Sequence, residues 1–116
     1  MSDVTTNKIM KFRPYLKPLV LSGEKTVTWR LFDDKNLSQG DTVDFYDWIS
    51  GEQFATAQLT KVWEKAFKDL TPQDWEGHEK IKTHDEMYAR YVAYYKRPVG
   101  PDTVVKIIAF EILKKV

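Results

Sequence analysis

The sequence predicts a small α+β domain whose strands form a curled sheet or barrel, and three features carry that prediction. Strand-like segments, several alternating apolar and polar residues, cluster in the first half of the chain, and their short connections favour mostly antiparallel pairing. Two helical segments then follow one another. The chain closes on TVVKIIAFEIL (103–113), apolar on both faces, as expected of a central strand covered from both sides. A length of 116 residues is that of one domain, and a composition 42% hydrophobic and 30% charged is globular rather than disordered.

Residues 1–8 are polar and read as a disordered N-terminal segment, leaving 9–116 as a single domain. That segment runs into a first strand, KIMKF (8–12), which Arg13-Pro14 ends because a residue before proline is pushed to extended geometry. YLKPLVLSG (15–23) suits a short helix with Pro18 in its first turn and Gly23 as its C-terminal cap. KTVTWRL (25–31) places Val27, Trp29 and Leu31 on one face of a strand and Thr26, Thr28 and Arg30 on the other. Residues 32–41 are rich in Asp, Asn, Ser and Gly and read as a loop. TVDFYDWI (42–49) and QFATAQLTKVW (53–63) are strands joined by a tight hairpin at Ser50-Gly51-Glu52. Thr71, Pro72 and Asp74 form a helix start, and Thr83 with Glu86 has capping-box spacing for a second helix over 83–97.

Several chemistries are excluded early. The chain has no cysteine, which removes disulfides, thiol catalysis and thiolate metal sites. His78 and His84 alone make a poor metal site, so neither a metal nor another cofactor is expected. The five glycines are scattered and form no phosphate-cradling loop. No apolar run is long enough for a signal peptide or a membrane span, so a cytoplasmic protein without a membrane partner is expected, and a monomer. A net charge of +1 gives no bulk basic footprint, so any nucleic-acid binding must come from a local patch. The tyrosines at 88, 91, 94 and 95 are capable of stacking bases, but their helical spacing favours packing on the sheet.

SGEKTVTWR (22–30) is the stretch with chemical content. A lysine opening a strand is normally solvated and idle. Here the turn Ser22-Gly23-Glu24 would leave backbone N–H groups beside Lys25, a usable anion or carbonyl site. Thr28 and Arg30 share the strand's polar face. A lysine partly withdrawn from water and near Arg30 has its pKa pushed down, which a base or nucleophile needs.

These residues resemble the ASCH domain family of the PUA-like β-barrel superfamily. The pattern there is a helix ending in Gly, then x-Lys-Thr-x-x-x-Arg on a strand, then Gly-Asp opening the next strand. The matching positions are Gly23, Lys25, Thr26, Arg30, Gly40 and Asp41, and the resemblance runs from about residue 9 to 113. Many members carry Glu where Thr28 stands. The resemblance implies a PUA-like small curled β-barrel with flanking helices, and binding of RNA or a nucleotide-like ligand in the cleft between barrel and helices. Ligand contacts are expected from Gly23, Glu24, Arg30 and Arg13, with Lys11 nearby. A small bacterial branch implies a second activity. Its members deacetylate N(4)-acetylcytidine with a lysine, a threonine and a glutamate, which here match Lys25, Thr28 and Glu79, with Glu76 the next choice. In that chemistry Lys25 takes the proton of Thr28, Glu79 orients it, and the Gly23–Glu24 turn holds the oxyanion. Trp29 and Trp48 are candidate walls for a base, although the face of Trp29 belongs to the core. A ribonuclease is a further activity implied by the family alone.

Overall fold

The computed structural model describes residues 7–32 and 35–116. Five strands form one mixed sheet: β1 Lys8–Phe12, β2 Val27–Arg30, β3 Thr42–Asp47, β4 Gln53–Ala66 and β5 Val104–Lys115. Their order is β1-β3-β4-β5-β2, curled into a half-barrel with helices α1 (Lys17–Ser22) and α2 (His84–Tyr95) against it. Three of the four pairings are antiparallel, and β1 runs parallel to β3. The expected small curled α+β barrel of mostly antiparallel strands is therefore present, in the form of a half-barrel. Of the segment expected to be disordered, residues 1–6 lie outside the described residues. Lys8 already opens β1, and its ammonium pairs with Asp41 at 2.8 Å.

Sheet curvature follows from the long strands. β4 shifts register against β5 between Thr56 and Ala57 and again between Leu59 and Lys61, and such bulges bend and twist a strand. The curl separates two apolar clusters. Met10, Phe12, Val43, Phe45, Leu59, Ile108 and Phe110 form one cluster, joined by Leu16 and Val20 from the helical turns after β1. Trp29, Leu31, Phe67, Met87, Tyr91 and Ile107 form the second cluster, with α2 packed on β2 and β5. The parity of β5 explains the split: Val105 and Ile107 enter one cluster, Ile108 and Phe110 the other.

Local chemistry sets the element ends. Gly23 caps α1 in the left-handed region at φ 84°. β3 ends two residues before the expected Ile49, because Asp47 Oδ1 accepts from the N–H groups of Ile49 (2.8 Å) and Ser50 (3.0 Å) and folds the chain into a turn. The first of the two expected helices is a correction. Pro72–Trp75 is a single 3-10 turn, although Asp74 does accept from the N–H and hydroxyl of Thr71 as a cap. Gly77, at φ 78°, stops it. α2 begins at the expected cap, where Thr83 Oγ1 accepts from Glu86 N–H, and stops at Lys96, left-handed at φ 57°. Tyr91 is buried and rings 88, 91, 94 and 95 join the α2 cluster, as packing predicts.

Candidate functional site

The site begins at the tail of α1. After Gly23 the chain crosses to β2, and Lys25 N–H donates to Leu19 O at 3.0 Å. This turns the Lys25 side chain inward. The residue is 1% exposed, not the solvated strand opener that its type suggests. Its Nζ donates to Val27 O at 2.8 Å and to Glu79 Oε1. The sequence-predicted lysine and glutamate thus meet across 54 positions of chain. Glu76 makes no such contact and lies beside Gly77 on a separate polar groove.

A short docking segment delivers Glu79. Gly77 O accepts from Thr26 N–H (2.8 Å) and Val27 N–H (3.1 Å), fixing the segment to the start of β2. A Cβ on Gly77 would collide with Thr26 Oγ1, so this approach and the positive φ both require glycine. His78 then stacks on Trp29 with centroids 3.9 Å apart. Its Nδ1 lies 2.7 Å from Glu79 O, and its Nε2 lies 3.3 Å from both Tyr91 Oη and Glu79 Oε1. In sequence His78 offers itself only as a poor metal ligand; its position directly before Glu79 is the signal that places it here.

Burial and charge act oppositely on this group of residues. Loss of hydration pushes the Lys25 ammonium down to about 8, against the pull of Glu79, with Arg30 and Arg90 adding to the depression. Burial alone would raise the Glu79 carboxyl, but the adjacent Lys25 cation holds it below its ordinary value. Burial, reinforced by Lys25, drives His78 down to about 3. At neutral pH the resting site is a lysine cation, a carboxylate and a neutral imidazole.

Thr28 is 4% exposed. Its hydroxyl makes no hydrogen bond among the described residues, and no hydrogen bond joins it to Lys25. It shares a strand face with Arg30 by the two-residue repeat. The turn intended for an oxyanion is occupied: Gly23 N–H donates to Val20 O at 3.3 Å and Glu24 N–H to Ser22 Oγ at 3.3 Å. As it stands, it presents no free donor at those two positions.

A second feature adjoins the first through Arg30. β1 and β2 are the open edges of the half-barrel, and Arg30 Nη2 bridges them by donating to Lys11 O at 2.9 Å. Its guanidinium lies over Phe12 at 4.8 Å, and its buried Nε has no hydrogen-bond partner among the described residues. Between these edges and the last turn of α2 lies a cavity of about 240 Å³, lined by Lys11, Arg30, Phe32, Trp48 and Tyr95 among others. Arg13 sits at its side between Trp48 (4.6 Å) and Tyr94 (4.7 Å). Trp48 is half exposed, whereas Trp29 is core.

Among solved structures the architecture is that of the ASCH domains. The chain matches the ASCH domain from Lactobacillus crispatus JV V101 with a TM-score of 0.62 at 16% identity, covering 84% of this chain and 70% of that one. ASCH from Zymomonas mobilis gives 0.63 at 13% identity over 93% and 71% of the two chains. Protein EF3133 from Enterococcus faecalis V583, described under DUF984, gives 0.77 at 18% identity over 98% and 84%. At these identities the shared property is the fold. No protein-family model and no curated protein sequence matches the chain.

Proposed function

We propose that the chain binds a nucleoside-like ligand, free or within single-stranded RNA, in the cleft between the half-barrel edges and α2. The observation that carries this reading is the cavity wall. Trp48, Tyr95 and Phe32 supply aromatic surface and Lys11 and Arg30 supply cations in that wall, with Arg13 lying over Trp48 and Arg97 over Phe32 beside it. Base stacking on such rings with phosphate pairing to adjacent cations is the usual solution for unpaired nucleic acid. The test is titration at low salt with cytidine monophosphate and with short unstructured RNA, followed by tryptophan fluorescence. Saturable quenching that is lost in Trp48→Ala supports the reading, and no binding of either probe overturns it.

A different observation, the buried Lys25–Glu79 pair, favours an amidohydrolase acting on an N-acylated base such as N(4)-acetylcytidine. A lysine with a pKa of about 8 is neutral in roughly one molecule in ten at pH 7. Neutral Lys25 would take the proton of Thr28 as its oxygen attacks the acyl carbon, and would return it to the leaving amine. Water then hydrolyses the threonine ester, with Glu79 keeping Lys25 in place throughout. Since the Gly23–Glu24 amides are engaged, Arg30 is the available cation for the oxyanion. Incubation with N(4)-acetylcytidine and chromatography of released cytidine tests this beside Lys25→Ala. Turnover abolished by the substitution supports it; absence of turnover by the folded wild-type chain removes it.

A further inference from the structure

The amidohydrolase reading uses Lys25 and Glu79 but leaves a buried imidazole beside them without a task. Glu79 Oε1 faces two nitrogens, Lys25 Nζ and, at 3.3 Å, His78 Nε2. The tautomer follows from the partners. Glu79 O is a carbonyl and can only accept, so His78 Nδ1, 2.7 Å away, carries the hydrogen. Nε2 is therefore bare, and the Tyr91 hydroxyl donates to it at 3.3 Å. That nitrogen, beside a carboxylate oxygen that already holds a cation, can take a proton once the Tyr91 hydroxyl turns away from it. Stacking on Trp29, with Trp75 edge-on at 5.5 Å, fixes the ring there.

We propose that His78 is the second proton partner of Glu79, so that Oε1 passes a proton between Lys25 Nζ and His78 Nε2. In the forward direction an Nζ–H bond breaks and an Oε1–H bond forms; that bond then breaks as Nε2–H forms. The products are a neutral lysine, an unchanged carboxylate and an imidazolium, with total charge conserved. Lys25 thereby becomes a free base without releasing a proton to water, which its burial makes difficult. The groups that face His78 are Lys25 from the α1–β2 turn, Glu79 beside it, and Tyr91 and Arg90 from α2. Burial is the main cause that keeps His78 neutral; of the two nearby cations Lys25 is the stronger, so loss of its charge leaves Glu79 freer to favour the imidazolium.

The inference rests on the amidohydrolase reading for its purpose, but its test needs no substrate, so the two can fail separately. Nitrogen-15 NMR of the imidazoles in the intact chain reports tautomer and titration. His84 is the only other histidine, and a His84→Asn variant assigns the signals. In the wild type, His78 is expected as the Nδ1–H tautomer that stays neutral to below pH 5. In Lys25→Met its midpoint is expected to rise by at least about one pH unit, a tenfold gain in proton affinity. Adding Glu79→Gln should reverse that rise. A wild-type signal showing hydrogen on Nε2 overturns the proposal, and this measurement needs no substitution. An unchanged midpoint in both Lys25→Met and Lys25→Gln, each with a folded amide spectrum, also overturns it.

Discussion

Lys25 makes the stability of this fold depend on alkaline pH in an unusual direction. The lysine is charged in the unfolded chain up to its ordinary 10.5 but in the fold only up to about 8. Between those values the unfolded state binds more protons, so stability rises with pH. The drop from 10.5 to about 8 corresponds to roughly 3 kcal/mol that the buried charge costs the fold at neutral pH. About 2.5 kcal/mol of that is recovered from pH 7 to 10, since the unfolded lysine still holds most of its proton at 10. Tyr91 and Tyr94, both raised by burial, act against the rise: at pH 10 the unfolded tyrosines are half ionised and the folded ones are not, which offsets about 0.8 kcal/mol there and ends the rise above it. The exposed Lys68–Asp102 pair acts in the opposite sense to Lys25, but salt screens it. Urea unfolding in 0.2 M salt is the assay. With a slope of about 1–3 kcal/mol per molar, the midpoint should climb by on the order of 1 M from pH 7 to 10. In Lys25→Met the climb should vanish. A wild-type midpoint that is flat or falls over this range refutes the reasoning, as does an equal climb in the variant.

Three further outcomes are expected. Gly77→Ala combines a left-handed backbone with a clash against Thr26; it should cost about 1–3 kcal/mol in thermal unfolding and disturb the Lys25 signal by NMR. Asp74 accepts from Trp63 Nε1 (3.0 Å), Lys65 Nζ (2.8 Å) and both donors of Thr71. Asp74→Ala strands them and should destabilise the fold by about 1–3 kcal/mol, measured by denaturant titration at pH 7. Although burial opposes it, these bonds hold the Asp74 carboxyl down to about 2, so its contribution should persist above pH 4 and fade as pH falls towards 2. Trp48→Ala should weaken binding of short unstructured RNA by about 1–3 kcal/mol while leaving the melting temperature nearly unchanged, because the ring is half exposed.

Much of this was legible because the sequence obeys local rules. Thr83 with Glu86, Gly23 and the alternation of Val27, Trp29 and Leu31 each name their own local structure. Glu79 was reachable only through the family resemblance, since nothing in its neighbourhood marks it as a partner of Lys25. Other features escaped for physical reasons. The burial of Lys25 depends on Gly77 docking more than fifty positions away, which no local pattern reports. The segment 70–78 carries a sound helix start, yet the bonds from Gly77 O to Thr26 and Val27 required a different backbone. The turn at Gly23–Glu24 looks open in sequence because its amides are satisfied by Val20 O and by the adjacent Ser22 hydroxyl, contacts that form only in the folded turn.

The strand order has a consequence for how the molecule is made. Lys25 leads into β2, but the ladder partner of β2 is β5, which pairs Val27 with Ala109 far along the chain. On a ribosome, β1, β3 and β4 can pair while β2 still has no neighbour. β2 therefore gains its ladder only once β5 has formed between it and β4. Without Val104–Lys115, β2 would have no ladder partner, and the strand that Gly77 docks on would lose its support.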